Sequence, residues 1–388
     1  MRIAADVSQD HDSHGPFDLG HLQGGIEAEV LDCLNKRWPR ARNRQNRNRN
    51  PGRVSTTLPC GLRAVHQLCI PLLLVVCCLP TVCAAPQAED TASISTISAA
   101  ISDLPLEPAA HLEIELALKA RNYSAVEEGL MRVASQHPKM PLLHNCLGRI
   151  FFIDGKYLNA AIAMKKAEAS QPLDERDSFT LAMAYVAMEK PEWARSVLEK
   201  LVEASPENPL YPYWEGRLDY AQQKFSAAAA KFEKAIALNS GFVKAYDNLG
   251  LCLEGMGKSN EAIQQYQRAV KLNRDNKVHS PWPPLNLGIL LVKSSRFEEA
   301  EVLFRESLQL DANFADAHYQ LGVLLEQQNK TNEAMEELKR AGLLAPANPQ
   351  SHYALARVYR RSGRKEEAKR ELEVFETLKA NVHPPRMQ

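Results

Sequence analysis

Function in a protein chain starts from side chains that can hold a phosphate, a metal or a proton. The run Gly255-Met256-Gly257-Lys258-Ser259 has the glycines, lysine and hydroxyl that close a phosphate-binding loop. The complete loop needs a glycine where Cys252 stands and a strand ahead of it, and the pattern offers neither. The run falls instead at a turn between two helical patterns. No HExxH, GxSxG or paired CxxC is present. His144, His318 and His352 recur at one position of a periodic pattern, and on adjacent helices the last two would lie roughly 10 Å apart. A bulky ring filling a packing position is the simpler reading than a metal site. Of the eight cysteines, Cys60, Cys69, Cys77, Cys78 and Cys83 crowd one apolar stretch, and Cys33 sits in a polar tail. Only Cys146 and Cys252 remain in the body, so no disulfide framework is expected, and both read as small buried hydrophobes. The expectation is a chain with no catalytic residue, cofactor or metal site.

Placing these residues requires the elements that carry them. The chain has 388 residues, and Lys+Arg and Asp+Glu both number 47, so no global charge draws a nucleic acid. Residues are 45% hydrophobic but only 7% aromatic, and abundant Ala, Leu, Glu and Lys favour helices. Residues 1–58 show no hydrophobic period and turn Arg-rich between Arg37 and Asn50. They read either as a disordered tail or as residues that are not translated. Residues 59–88 read as a targeting segment. Arg63 and His66 precede the apolar run Leu68–Leu79, Pro80 breaks it, and Val82-Cys83-Ala84-Ala85 offers small residues for a signal peptidase. An uncleaved anchor with an Arg-rich cytoplasmic tail is the alternative, and both place the body outside the cytoplasm. Residues 89–106 are Ser-, Ala-, Thr- and Pro-rich and read as a linker, and 383–388 as a tail.

Between them, one unit repeats. Ala160, Ala194, Ala228 and Ala262 are evenly spaced, and Ala300, Ala334 and Ala368 resume at the same step. The longer step between Ala262 and Ala300 implies an insertion, placed at Lys277–Ser280. One fixed distance before each alanine stands Gly148, Ala182, Gly216, Gly250, Gly288, Gly322 or Ala356. One helical turn after it stands Met164, Leu198, Phe232, Tyr266, Phe304, Leu338 or Leu372. This spacing predicts a pair of antiparallel helices per unit, whose backbones meet closely at the small residues while the large ones fill the remaining space.

The pattern resembles the tetratricopeptide repeat, a helix–turn–helix unit of about 34 residues. Seven units match and a degenerate one precedes them: 107–140, 141–174, 175–208, 209–242, 243–276, 281–314, 315–348 and 349–382. In the fourth, Glu215 and Asp219 occupy usually apolar sites, which predicts a local irregularity around Tyr211–Tyr220. The resemblance implies an all-α, right-handed superhelical solenoid whose inner groove is lined by first helices, with repeat positions 2, 5, 6, 9, 12 and 13 facing inward. On that mapping the partner-binding candidates are Phe179, Met183, Tyr213, Trp214, Arg217, Tyr220, Asn248, Trp282, Asn286, Tyr319, Gln320, Tyr353 and Arg357. Asn248, Asn286 and Gln320 share position 6, which resembles the asparagine ladder in the repeat domain of O-linked N-acetylglucosamine transferases, here three rungs long. Rings, amides and arginines together suit a protein or an extended peptide.

The expected function is a non-catalytic scaffold holding a protein or peptide partner in its concave groove. Its expected setting is a bacterial envelope: periplasmic, secreted or anchored in the inner membrane. The membrane is touched only through the N-terminal segment, and no nucleic acid is expected. Two alternatives stand beside it. One is the repeat subunit of an envelope enzyme complex, such as a glycosyltransferase or polysaccharide export assembly. The other is a cytoplasmic adaptor.

Overall fold

The computed structural model describes residues 89–382. The tail at 1–58 and the targeting segment at 59–88 lie outside the described residues. Among those described there are seventeen helices and no strand. A first helix, α1 (Glu89–Ser102), is followed by sixteen more, of which seven consecutive twos pack as antiparallel pairs. These are α2 (Pro108–Lys119) with α3 (Tyr123–Gln136) and α4 (Pro141–Ile153) with α5 (Tyr157–Glu168), after which α6 (Glu175–Ala187) and α7 (Pro191–Ala204) follow in the chain. Then come α8 (Leu210–Ala221) with α9 (Phe225–Leu238), α10 (Val243–Gly255) with α11 (Ser259–Asp275), and α12 (Trp282–Lys293) with α13 (Phe297–Leu310). The last are α14 (Ala315–Gln327) with α15 (Thr331–Leu344) and α16 (Pro349–Arg361) with α17 (Lys365–Val382). Of the described residues, 89–194 form one compact unit and 195–382 another.

The turn inside each pair has one recurring device. Arg121, Gly155, Glu189, Gln223, Gly257, Ser295, Asn329 and Gly363, all at position 15, have φ from 54° to 78°. A left-handed residue there ends the first helix and lets the next amides reach back to its carbonyls, as Lys258 N–H does to Leu253 O at 2.8 Å. Gly257, the apparent phosphate-loop glycine, is this helix stop, with φ 78°. Elsewhere the same backbone is imposed on Arg, Glu, Gln, Ser or Asn, so the turn is held by the packing of the pair and not by residue choice.

That packing is set where two helices cross. Ala160, Ala194, Ala228, Ala262, Ala300 and Ala334 are fully buried. A Cβ added to Gly250 would lie 2.5 Å from Tyr266, to Gly288 2.5 Å from Phe304, to Gly216 2.9 Å from Phe232, and to Gly322 2.7 Å from Leu338. Each glycine is thus the seat of the large side chain on the second helix of its own pair. The first pair solves the same problem in reverse. Ile114 stands at the small position, and Gly129 across from it leaves room, since a Cβ there would be 2.7 Å from Ile114.

The expected irregularity in the fourth unit is corrected. Leu210–Ala221 is an unbroken helix. Glu215 and Asp219 are buried, but Lys231 Nζ donates to Glu215 at 2.5 Å and Arg195 to Asp219 at 2.8 Å, so a cation follows each acid inside. The insertion appears as a longer second helix to Asp275 and a loop closed by Asn273, whose amide donates to Ser280 O at 2.9 Å and whose Oδ1 accepts from Ser280 N–H at 3.0 Å.

The linker expected at 89–106 also differs. Its first 14 residues are α1, with Ile97 and Ile101 buried. Isoleucines one helical turn apart give the segment one apolar face that its Ser- and Ala-rich composition hides.

The glycine seat yields a test. Gly288→Ala is expected to destabilise the array by about 1–3 kcal/mol, the usual range for overpacking. Adding Phe304→Leu should restore part of it by making room. Hydrogen exchange across 282–310 measures both, and unchanged protection in the single variant would contradict the seat.

Candidate functional site on the first helices

Within 209–382, each first helix packs on the next first helix: α8 on α10, α10 on α12, α12 on α14, and α14 on α16. No comparable packing joins one second helix to the next. First helices are therefore closer together than second helices, and this row of pairs bends toward the first-helix side. A surface built this way presents several side chains from consecutive units to one partner.

The structure divides the candidate residues into those inside and those at the surface. Tyr213 and Trp214 are each 1% exposed, so their assignment to an open strip is corrected. Phe242, from the loop ahead of α10, lies with its ring 4.9 Å from that of Tyr213, and Phe232 and Trp214 also pack on it. Large rings at positions 5 and 6 are covered here by the next unit. Phe179 and Met183, in the N-terminal unit, are buried as well. Asn286 is 2% exposed, and its amide donates to both carboxylate oxygens of Asp247 at 2.9 Å. That rung is used inside the protein and cannot grip a peptide backbone. Arg357 is likewise committed. Its Nε donates to Glu326 at 2.8 Å and 2.9 Å, and its Nη2 joins the same carboxylate.

The remaining candidates reach the surface. Arg217 is half-buried. Its Nη1 donates to Tyr213 Oη at 3.2 Å, and its guanidinium lies 5.4 Å from the centre of the Trp214 ring. Among the described residues no carboxylate pairs with it. Asn248 is half-buried, and its Nδ2 donates to Lys244 O at 2.8 Å and lies 3.4 Å from Tyr213 Oη. The phenol of buried Tyr213 thus holds both polar groups from below. Tyr220 and Trp282 are half-buried against Phe225 and Phe314. Tyr319 and Gln320 are half-buried, and burial pushes the Tyr319 phenol above its usual pKa. Tyr353 is 44% exposed and leans on Phe375.

Two residues were missed by the sequence reading. Glu326 and Glu254, both at position 12, hold the following first helix. Glu326 takes Arg357 and Arg361, and Glu254 takes Lys293 at 2.8 Å and the Tyr266 hydroxyl at 2.7 Å. An acid at position 12 followed by a cation at position 13 of the next unit is the signal that would have found them.

The histidines form a repeated clamp. His318 Nε2 faces Ala312 O at 3.1 Å and Nδ1 faces Glu337 Oε2 at 2.6 Å. His352 repeats this with Pro346 O at 3.2 Å and Glu371 at 2.7 Å. His144 Nε2 faces Pro138 O at 2.9 Å. Each ring ties a first helix to the turn before it, and in His318 and His352 to the second helix as well. Both nitrogens of these two rings are occupied. Burial pushes the Cys146 and Cys252 thiols up to about 12, so neither is a nucleophile at neutral pH.

With this geometry in place, the comparisons decide the family. Models of the tetratricopeptide repeat match residues 179–241, 243–276, 291–352 and 349–374. The chain is built of tetratricopeptide repeats. A 105-residue stretch is 29% identical to the probable UDP-N-acetylglucosamine–peptide N-acetylglucosaminyltransferase SPINDLY of Arabidopsis thaliana, covering 27% of this chain and 11% of that protein. A 77-residue stretch is 31% identical to RNA polymerase II-associated protein 3 of Homo sapiens, covering 20% and 12%. The chain thus spans about a tenth of the length of these curated relatives. Among solved structures, yeast Tom70 is similar with a TM-score of 0.52 and 16% identity, over 74% of this chain and 65% of that one. A tetratricopeptide repeat protein from Parabacteroides merdae gives 0.51 and 17%, over 73% and 98%. At such identities the likeness is one of fold.

The clamp makes a pH prediction. Burial works against charge on His318, but the Glu337 carboxylate and the Ala312 carbonyl outweigh it and raise its pKa, while Arg340 opposes them. A raised folded-state pKa gives stability that is complete below the unfolded value and lost as pH rises through the folded one. Amide protection in 315–344 is therefore expected to fall as pH rises from about 6 to 8, histidine's range. His318→Gln should flatten that dependence. An equal slope in the variant, after correction for intrinsic exchange, would contradict it.

Proposed function

We propose that this chain is a non-catalytic scaffold that holds a protein or extended peptide partner against its row of first helices. The observation that carries this reading is the set of polar and aromatic side chains left at that surface: Arg217, Asn248, Tyr319, Gln320 and Tyr353. Arg217 is the anchor. Its equivalent at position 9, Arg357, has a carboxylate from Glu326, whereas Arg217 has only a phenol oxygen and a ring face. A guanidinium so placed is already oriented and partly stripped of water, and it favours an acidic group on the partner. The tetratricopeptide fold supports the reading, because stacked units present an extended surface suited to such partners.

The test is an affinity pull-down with the full chain. Arg217→Ala with Asn248→Ala is expected to remove most of the partner captured by the wild type, by tenfold or more. Glu233→Ala with Lys234→Ala, exposed on the second helix α9, is the control and should capture as the wild type does. Capture by the groove variant equal to wild type would sink the first-helix reading. Loss in the control alone would move the site to the second helices.

The body is further proposed to lie outside the cytoplasm. This rests on the apolar run Leu68–Leu79 and the small residues after it. Among the described residues no helix is long and apolar enough to cross a membrane. A reporter active only after export, fused at Gln388, should be active. A silent export reporter beside an active cytoplasmic one would favour the cytoplasmic adaptor.

A second reading, the repeat subunit of an envelope enzyme complex, draws on the similarity to the glycosyltransferase noted above. A glycosyltransferase or polysaccharide synthase among the captured proteins would favour it.

A further inference from the structure

The N-terminal helix α1 packs against α2 and α4, the first helices of two successive pairs, and makes no comparable packing with α3, the second helix between them. A helix that touches two consecutive first helices and skips the second one lies on the first-helix side. It leaves open the edge where a preceding repeat would stack: Leu116 of α2, at position 10 and outside the inward set, is 56% exposed. The side-chain contacts agree. His111, at inward position 5 of α2, has its Nε2 3.2 Å from Ile101 O at the end of α1. Asp103, just beyond that end, is near enough to Cys146, at inward position 6 of α4, for its charge to act on the thiol.

α1 has the form of a docked ligand. Ile97, Ile101 and Leu104 are buried, at spacings of four and three, while Ser95, Ala99 and Ser102 face out. Residues 91–102 carry no charge. Ser, Thr and Ile are weaker helix formers than Ala, and an isolated helix of fewer than about 15 residues is marginal in water. α1 is therefore helical because it is docked. Its hold is also slight: among its residues with described side chains two are buried, against eight in α4. Elements with few buried contacts open separately from the rest of a fold.

We propose that the first-helix face of α2 and α4 is a binding site for an amphipathic helix, that α1 occupies it within the chain, and that a partner helix takes it by displacing α1. The partner segment is uncharged over its contact stripe, with aliphatic side chains at the spacing of Ile97, Ile101 and Leu104 and small or hydroxyl residues between them. This deepens the scaffold reading and rests on it, but it concerns a different set of residues from Arg217 and Asn248.

The experiment uses the full chain and a fluorescent synthetic peptide with the sequence of residues 89–106. In the wild type the site is filled, so the peptide should bind weakly. In Ile97→Glu with Ile101→Glu, α1 no longer docks, and the peptide should bind at least tenfold tighter by anisotropy. Unchanged hydrogen exchange in α3 and α5, the second helices paired with α2 and α4, shows that the site is folded in the variant. Equal affinity for both proteins, or binding to neither, overturns the proposal and leaves α1 as a fixed cover. A measurement on the unaltered chain gives an independent answer should the variant not fold. α1 amides should exchange at least tenfold faster than those of α4. Exchange of the two in step overturns the proposal. The pull-down on Arg217 and Asn248 reads a separate surface, so failure here is distinguishable from failure of the scaffold reading.

Discussion

The close crossing between the two helices of each pair is the constraint on which everything else depends. Gly250 against Tyr266, Gly288 against Phe304 and Gly216 against Phe232 leave no room for a single added carbon. A glycine there does not serve the turn; it lets a ring come up against the backbone. Because the ring is carried by the opposite helix of the pair, the contact fixes both the angle and the register of the two. It also explains why the left-handed residue at position 15 can be Arg, Glu or Gln as readily as Gly. Once the helices are locked, the connecting backbone has one path, and the cost of that path, roughly 1–2 kcal/mol for a non-glycine residue, is carried by the packing.

The same contact governs what was legible in the sequence. The close crossings recur at one period, broken once by the insertion at Lys277–Ser280 and reversed in the first pair, so α-helices with their turns could be read directly. Burial at the inward positions could not. Tyr213 and Tyr353 share position 5, yet one is 1% and the other 44% exposed. Tyr213 is covered by Phe242 from the following unit, and Tyr353 belongs to the last described pair, where Phe375 leans on it. Trp214 and Gln320 share position 6 with a similar contrast, a large ring drawn under its neighbours and an amide left half out. An inward position names a direction, while exposure depends on what the next unit brings over it. A repeat period does not encode that.

Electrostatics follows the same division. Glu326 with Arg357 and Arg361, Glu254 with Lys293, and Asp247 with Asn286 each join one first helix to the next. These groups lie on the side a partner would use, but they are spent on holding the row together. Stability in such an array is a sum of nearest-neighbour terms, and buried acids left without their cations would be strongly unfavourable. On the proposed reading a partner is left the positions whose polar groups meet no opposite charge. Arg217 is such a position, because it rests on Tyr213 and Trp214 and meets no acid.

The N-terminal unit adds a second device. Beside the ion pair of Arg149 in α4 with Asp177 in α6, its inward face carries α1, a segment whose composition reads as a linker and whose isoleucine spacing reads as a helix. Composition and periodicity disagree, and the disagreement is physically meaningful. A sequence with strong helix formers would be helical with or without its docking site, and one without the isoleucines would never dock. A sequence that has the stripe but not the propensity is helical only in contact, so its folding and its binding are one equilibrium. On the proposed reading α1 covers the inner face at His111 of α2 and along α4 without closing it permanently, which is the state a binding surface needs while it waits for its partner.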